Sequence, residues 1–254
     1  MYHFPQLFHI DLLGDDQPQP GFEDADGGER REYDPVERGF YETVIGLHHG
    51  VEQFGGTFLL RAVPVHGILP QHSGEVQQGK LLVAGNGGSA ADAEHIVGEL
   101  MKGFKLPRKP KADFAEKLIQ ENAELGVVLA EKLQGALPAI ALDGHPALST
   151  AYMNDCEPLL CFAQQVNGYG KTGDVFLGIS TSGNSKNVLY AATTAHAKGM
   201  KVIGLTGAKS SKLEQMSDVC IKVPQTETYM IQELHLPVYH CLCLMLEDEF
   251  FLGV

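Results

Sequence analysis

Between residues 81 and 223, five short apolar runs punctuate the chain: Leu81–Ala84, Ala139–Leu142, Val175–Ser180, Lys201–Leu205 and Val219–Val223. Helical patterns alternate with them. These cover Ala90–Lys102, Phe114–Leu133, Pro158–Val166, Lys186–Lys198 (stopped by Gly199), a short turn at Leu213–Met216, and a final helix from about Met230 to about Phe250. A strand that is apolar throughout must be covered on both faces. Such strands alternating with helices form a parallel sheet between helical layers. The expected fold class is therefore α/β, a three-layer sandwich with a parallel sheet flanked by helices. Sheets of this kind bind ligands beyond the carboxyl ends of their strands, and two loops of small residues fall there.

The front of the chain does not share this pattern. Residues 1–35 are rich in Gly, Pro, Asp and Glu, and residues 11–42 hold eleven acidic side chains against three Arg. We therefore expect an irregular acidic extension over residues 1–42 and the main domain over 43–254, introduced by a helical segment within Val36–Phe54. The net charge of −13 argues against a nucleic-acid partner. No apolar run is long enough to span a bilayer, and the N-terminus lacks a secretory pattern, so no membrane partner is expected. The five cysteines, odd in number and in apolar surroundings, read as reduced, buried thiols of a cytoplasmic protein.

The first loop is Gly85-Asn86-Gly87-Gly88-Ser89, between the first strand and a helix. Glycines let backbone N–H groups approach an anion closely, and the helix start adds partial positive charge. Ser89 is the expected N-cap. The second loop, Ser180-Thr181-Ser182-Gly183-Asn184-Ser185, offers four hydroxyls and no cation. Neither a Walker lysine motif nor GxGxxG is present, so nucleotide binding is less supported than a small phosphorylated molecule. On the helix behind the first loop, His95 and Glu99 are four residues apart and share a face. The last helix carries Gln232 and His240. On a straight helix these two lie about 12 Å apart along the axis, with Pro237 between them as the expected kink. Either Gln232 precedes the regular helix, or the two residues serve a site from different positions.

The order Gly-Asn-Gly-Gly-Ser, Ser-Thr-Ser-Gly-Asn-Ser and Ile231-Gln232-Glu233-Leu234-His235 resembles the SIS (sugar isomerase) domain family and, within it, the bacterial phosphoheptose isomerases. The likeness spans roughly residues 78–250. It implies a five-stranded parallel sheet, a homotetramer with sites at subunit interfaces, and aldose–ketose isomerisation of a small phosphorylated sugar, sedoheptulose 7-phosphate. It implies one Zn2+ per site on His95, Glu99, Gln232 and His240, with Glu99 and His240 as the acid/base pair. Asn86, Gly87, Gly88, Ser89, Glu99, Asn154, Asp155, Ser180, Thr181, Ser182, Ser185 and Gln232 would hold substrate. Two alternatives stay open: a non-catalytic SIS adaptor that binds a replication initiator protein, and an isomerase or binder of another sugar phosphate. The chain departs from the resembled enzymes in its long front segment and in Tyr229-Met230, where they carry a charged pair.

Overall fold

The structure is a computed structural model that describes residues 79–251. The acidic extension, the helical segment in Val36–Phe54 and the domain boundary at 42/43 lie outside the described residues.

Five parallel strands form one sheet: β1 (Leu81–Ala84), β2 (Ala139–Ala141), β3 (Val175–Ile179), β4 (Lys201–Thr206) and β5 (Val219–Lys222). The order is β2-β1-β3-β4-β5, with Leu81 opposite both Ala139 and Val175. The α/β expectation therefore holds, including the strand number. Strand order reverses between β1 and β3. The chain leaves β1 toward β2 on one side and returns to β3 on the other, which opens a crevice at their carboxyl ends.

The strands are apolar on both faces because both are covered. Leu82, Ala84 and Phe176 face one core with Phe162, Val166, Val188, Ala191, Ala195 and Leu213. These come from α5 (Cys161–Tyr169), α6 (Lys186–Ala197) and α7 (Lys212–Met216). Val83, Leu177, Ile179, Leu205 and Ile221 face the other core with Ala93, Ile96, Leu100, Tyr239 and Cys243. These come from α1 (Gly88–Met101) and α8 (Thr228–Phe251). The two-residue alternation of strand side chains thus lets β1, β3 and β4 contribute to both cores.

Several local expectations are corrected. The single helix over Phe114–Leu133 is two, α2 (Ala112–Glu121) and α3 (Ala123–Lys132). Asn122 leaves helical geometry at φ −152°, and its side chain accepts from the Glu124 and Leu125 amides. A local side-chain cap thus ended a helix that hydrophobic periodicity alone would have continued. The helix α4 (Pro146–Asp155) was not anticipated; none of its residues is buried, so it carries no apolar stripe to read. Pro158–Leu160 is a 3-10 turn and the α-helix begins at Cys161. Helix α1 starts at Gly88, so Ser89 lies in its first turn; the cap is Gly87, with φ 58°. All five cysteines are free, but only Cys161 and Cys243 are buried; Cys220 and Cys241 are half-buried and Cys156 is exposed.

Pro237 does not split α8, which is one helix of 24 residues. Its buried residues Ile231, His235, Tyr239, Cys243 and Glu247 recur at every fourth position. That stripe crosses the proline and packs both halves on the same layer, which outweighs the lost hydrogen bond.

Candidate active site

The two small-residue loops meet where β1 and β3 end side by side. In the first, Gly87 takes a left-handed φ, and the Ser89 and Ala90 amides turn back onto the Asn86 and Gly87 carbonyls. A Cβ on Gly85 would lie 2.2 Å from the Ser89 carbonyl oxygen, so the strand can enter α1 this tightly only without a side chain. In the second, the Ser180 and Ser185 hydroxyls are 3.0 Å apart. The Gly183 amide donates to the Ser180 carbonyl, and the Gly207 amide donates to the Thr181 carbonyl. The Ser182 hydroxyl accepts from the Asn184 amide.

A pair of amides ties the loops together. The Asn86 Nδ2 donates to Asn187 Oδ1 at 3.0 Å, and the Asn187 Nδ2 returns the bond to Asn86 Oδ1 at 2.7 Å. Asn187 also accepts from the Val188 amide and so helps begin α6. The sequence reading missed Asn187, since an Asn in the first turn of a helix looks like an ordinary polar residue.

Helices α1 and α8 lie side by side and run in the same direction. Gln232 packs on Gly88, where a Cβ would come within 2.6 Å of its amide nitrogen. One to two turns further, Tyr239 and His240 meet His95. Beyond them Glu247 meets the Phe104, Lys105 and Leu106 amides. This answers the question of Gln232. It lies inside the regular helix, at the mouth of the first loop, two turns from His240. Among the described residues no hydrogen bond joins it to His95, Glu99 or His240.

Those three do come together. His95 Nε2 lies 3.3 Å from Glu99 Oε1 and 3.5 Å from His240 Nε2. The two imidazoles meet edge to face, with centroids 4.9 Å apart, and Phe104 borders His240. Lys102 pairs with the other Glu99 oxygen at 2.9 Å. Burial, reinforced by neighbouring His95, pushes the His240 imidazole below its ordinary value, so it is neutral near pH 7 and able to take up a proton.

Whether this cluster suits zinc can be tested on its spacing. At bond lengths of about 2.0–2.1 Å, a tetrahedron sets neighbouring donors about 3.3–3.4 Å apart. The His95–Glu99 and His95–His240 separations match that edge, and the nitrogen and oxygen donors are of the right type. Among the described residues, however, no group of three or more His, Cys, Asp or Glu side chains closes round a common point. Two edges of the donor triangle are formed and the triangle is not closed.

Asn154 and Asp155 stand elsewhere. They end α4, are exposed, and hydrogen-bond each other at 2.7 Å. Among the described residues neither bonds to the two loops. Sequence reading also missed Asp92 and Tyr239, which flank His95. Asp92 precedes it by three residues on the same helix face, a spacing that could have been noticed. Tyr239 was hidden beside His240 in a stretch that reads as core.

A glycine turn and a hydroxyl-lined turn at a switch point, with an imidazole–carboxylate cluster two turns along the intervening helix, define a SIS-domain protein. The SIS domain family model matches residues 115–207. The chain is 40% identical to the phosphoheptose isomerase of Rhodospirillum rubrum over 67% of its own length and 77% of that protein's. It is 41% identical to that of Thiobacillus denitrificans over 70% and 78%. Among solved structures it is similar to the phosphoheptose isomerase from Francisella tularensis, with 35% identity, a TM-score of 0.54, and coverage of 67% of this chain and 77% of that one. It is equally similar to that from Neisseria gonorrhoeae, at a TM-score of 0.53. The chain belongs to the phosphoheptose isomerase family.

Proposed function

We propose that this chain is an aldose–ketose isomerase that converts sedoheptulose 7-phosphate to D-glycero-D-manno-heptose 7-phosphate. One observation carries this reading. The helix that opens on the first anion-type turn also brings Glu99 within reach of His95, which in turn meets His240 on α8. A phosphate held by the loop amides and hydroxyls would leave the far end of a short sugar chain along that helix.

The Gly87, Gly88 and Ser89 turn and the Ser180, Thr181, Ser182 and Ser185 hydroxyls hold the phosphate, with Asn86 fixed by Asn187. Gln232, packed on Gly88, orients the sugar. Glu99 removes a proton from C1, the C1–H electron pair becomes the C1=C2 bond as the C2=O pair moves onto O2, and the neutral His240 takes the O1 proton and passes it to O2. The O1 electron pair then forms C1=O, and Glu99 returns its proton to C2. Zn2+ held by His95, Glu99 and His240 would polarise the sugar oxygens when bound.

Other properties expected from the resemblance belong here. A homotetramer is supported by α3, whose Leu125, Val127 and Val128 are all more than half exposed. In such an assembly Asn154 and Asp155 would reach a neighbouring subunit's site. A cytoplasmic location is supported by the free thiols. Among the described residues, no helix is long and apolar enough to cross a membrane. An adaptor has no use for an acid/base cluster, and the Glu99–His95–His240 contacts favour catalysis over that role.

The decisive experiment is turnover of a panel of ketose phosphates with and without chelator. Sedoheptulose 7-phosphate should be the best substrate, and chelator should abolish its conversion. Glu99→Gln should lower kcat by about 10²–10⁴-fold while phosphate binding persists. Unchanged turnover in Glu99→Gln would remove it from the base role.

A further inference from the structure

We propose that Asn187 is a positioning residue for the phosphate end of the substrate, locking Asn86 in one of its two amide orientations and joining the two anion-type loops into one cradle. This deepens the isomerase reading and rests on it for the identity of the anion. The orientation follows from the donors. A carboxamide carries an acceptor at one end and donors at the other, and a half-turn interchanges them. The Val188 amide can only donate, so the atom it meets at 3.0 Å is the Asn187 oxygen. The same oxygen accepts from the Asn86 nitrogen at 3.0 Å, and the Asn187 nitrogen donates back to the Asn86 oxygen at 2.7 Å. A half-turn of Asn86 would set oxygen against oxygen and nitrogen against nitrogen. A backbone amide in the first turn of α6 thus dictates, through Asn187, which edge of Asn86 is the donor edge. Asn86 keeps one N–H beyond the clasp, and an N–H is the group an anion requires. Among the described residues, a Cβ built on the adjacent Gly87 meets nothing within 4 Å, so the loop is open beside that donor.

The clasp also couples the loops. Asn187 lies two residues beyond Ser185, whose hydroxyl meets that of Ser180 at 3.0 Å. Among the described residues, the Asn86–Asn187 pair is the only side-chain hydrogen bonding between the first loop and residues 180–188. With the clasp closed, donors from both loops stand ready for one anion. Without it, binding must also order Asn86 and bring the loops together, which lowers affinity. The pair is exposed, and water can replace an exposed hydrogen bond at little cost to folding. Its loss should therefore register in anion binding rather than in stability.

The test is a double-mutant cycle on inorganic phosphate, titrated by calorimetry into wild type, Asn86→Ala, Asn187→Ser and the double variant. Serine suits a helix start but is too short to reach Asn86. Asn86→Ala should weaken phosphate binding by about 10-fold, as expected for a lost hydrogen bond to a charged group. Asn187→Ser should weaken it by about 3–10-fold, and the double variant should bind no more weakly than Asn86→Ala alone. In turnover the Asn187→Ser loss should fall mainly on KM for sedoheptulose 7-phosphate, with zinc affinity and the urea midpoint held. Three results would overturn the clasp: no phosphate binding by wild type, unchanged affinity in Asn187→Ser, or losses that multiply in the double variant. A urea midpoint that falls in step with affinity would make Asn187 a structural residue and overturn the positioning role as well. A wild type that shows the non-additive phosphate binding yet converts no ketose phosphate would overturn the isomerase reading and leave the clasp standing.

Discussion

On the buried stripe of α8, His235 and Glu247 are both fully inaccessible, yet their neighbours treat them in opposite ways. Neither ring nitrogen of His235 has a hydrogen-bond partner. The Thr206 backbone lies near enough to offset part of the effect, but burial prevails and pushes the imidazole down to about 4. Below its ordinary value near 6.5, the unfolded chain takes up a proton that the folded one refuses. Stability is therefore greatest above that value and falls as pH drops toward 4, by about 3 kcal/mol in all. Urea unfolding across this range should show the slope, and His235→Leu should flatten it. Glu247 instead accepts from three backbone amides and, at 2.7 Å, from Arg108 Nε. Those donors hold its carboxyl below the ordinary value despite burial. Arg108 also donates to the Glu99 and Leu100 carbonyls, which ends α1 just after the base candidate. Arg108→Met should cost about 3–5 kcal/mol in urea unfolding, because it strands a buried carboxylate.

Elements are where pattern reading succeeded and failed for definable reasons. Strands β1 to β5 were legible because a strand covered on both faces must be apolar along its length, and each expected run overlaps its observed strand. Helix α6 was bounded by Gly199, whose φ of 73° shows the left-handed stop that glycine signals. The break at Asn122 and the unburied α4 were not legible, since one depends on a side-chain cap and the other lacks periodicity. The second loop depends on one glycine in the same way. Gly183 has φ 63°, and a Cβ there would lie 2.1 Å from the Ser211 hydroxyl. Ser211 is itself held in a capping box with Glu214 at the start of α7. Gly183→Ala should therefore destabilise by about 1–3 kcal/mol and weaken inorganic phosphate binding, measured by calorimetry, more than it weakens zinc binding.

At the scale of the molecule, the assembly is the property that a single chain leaves incomplete. The apolar side chains of α3 face outward, and Leu125 is 60% exposed. Size-exclusion chromatography with light scattering should report four copies of the 27.6 kDa chain, and Leu125→Glu with Val128→Glu should shift the protein to smaller species.

The order of strands and helices, the two loops at strand ends and the residue types His95, Glu99, Gln232 and His240 were all set by the sequence, because backbone propensity and two-residue or helical periodicity are local. Which of those residues meet was decided by tertiary structure. The parallel packing of α8 on α1 brought His240 to His95, left Gln232 at Gly88, and set the Tyr239 hydroxyl against His95. Contacts between helices more than a hundred residues apart depend on how two faces dock on one sheet, and no local pattern encodes that register.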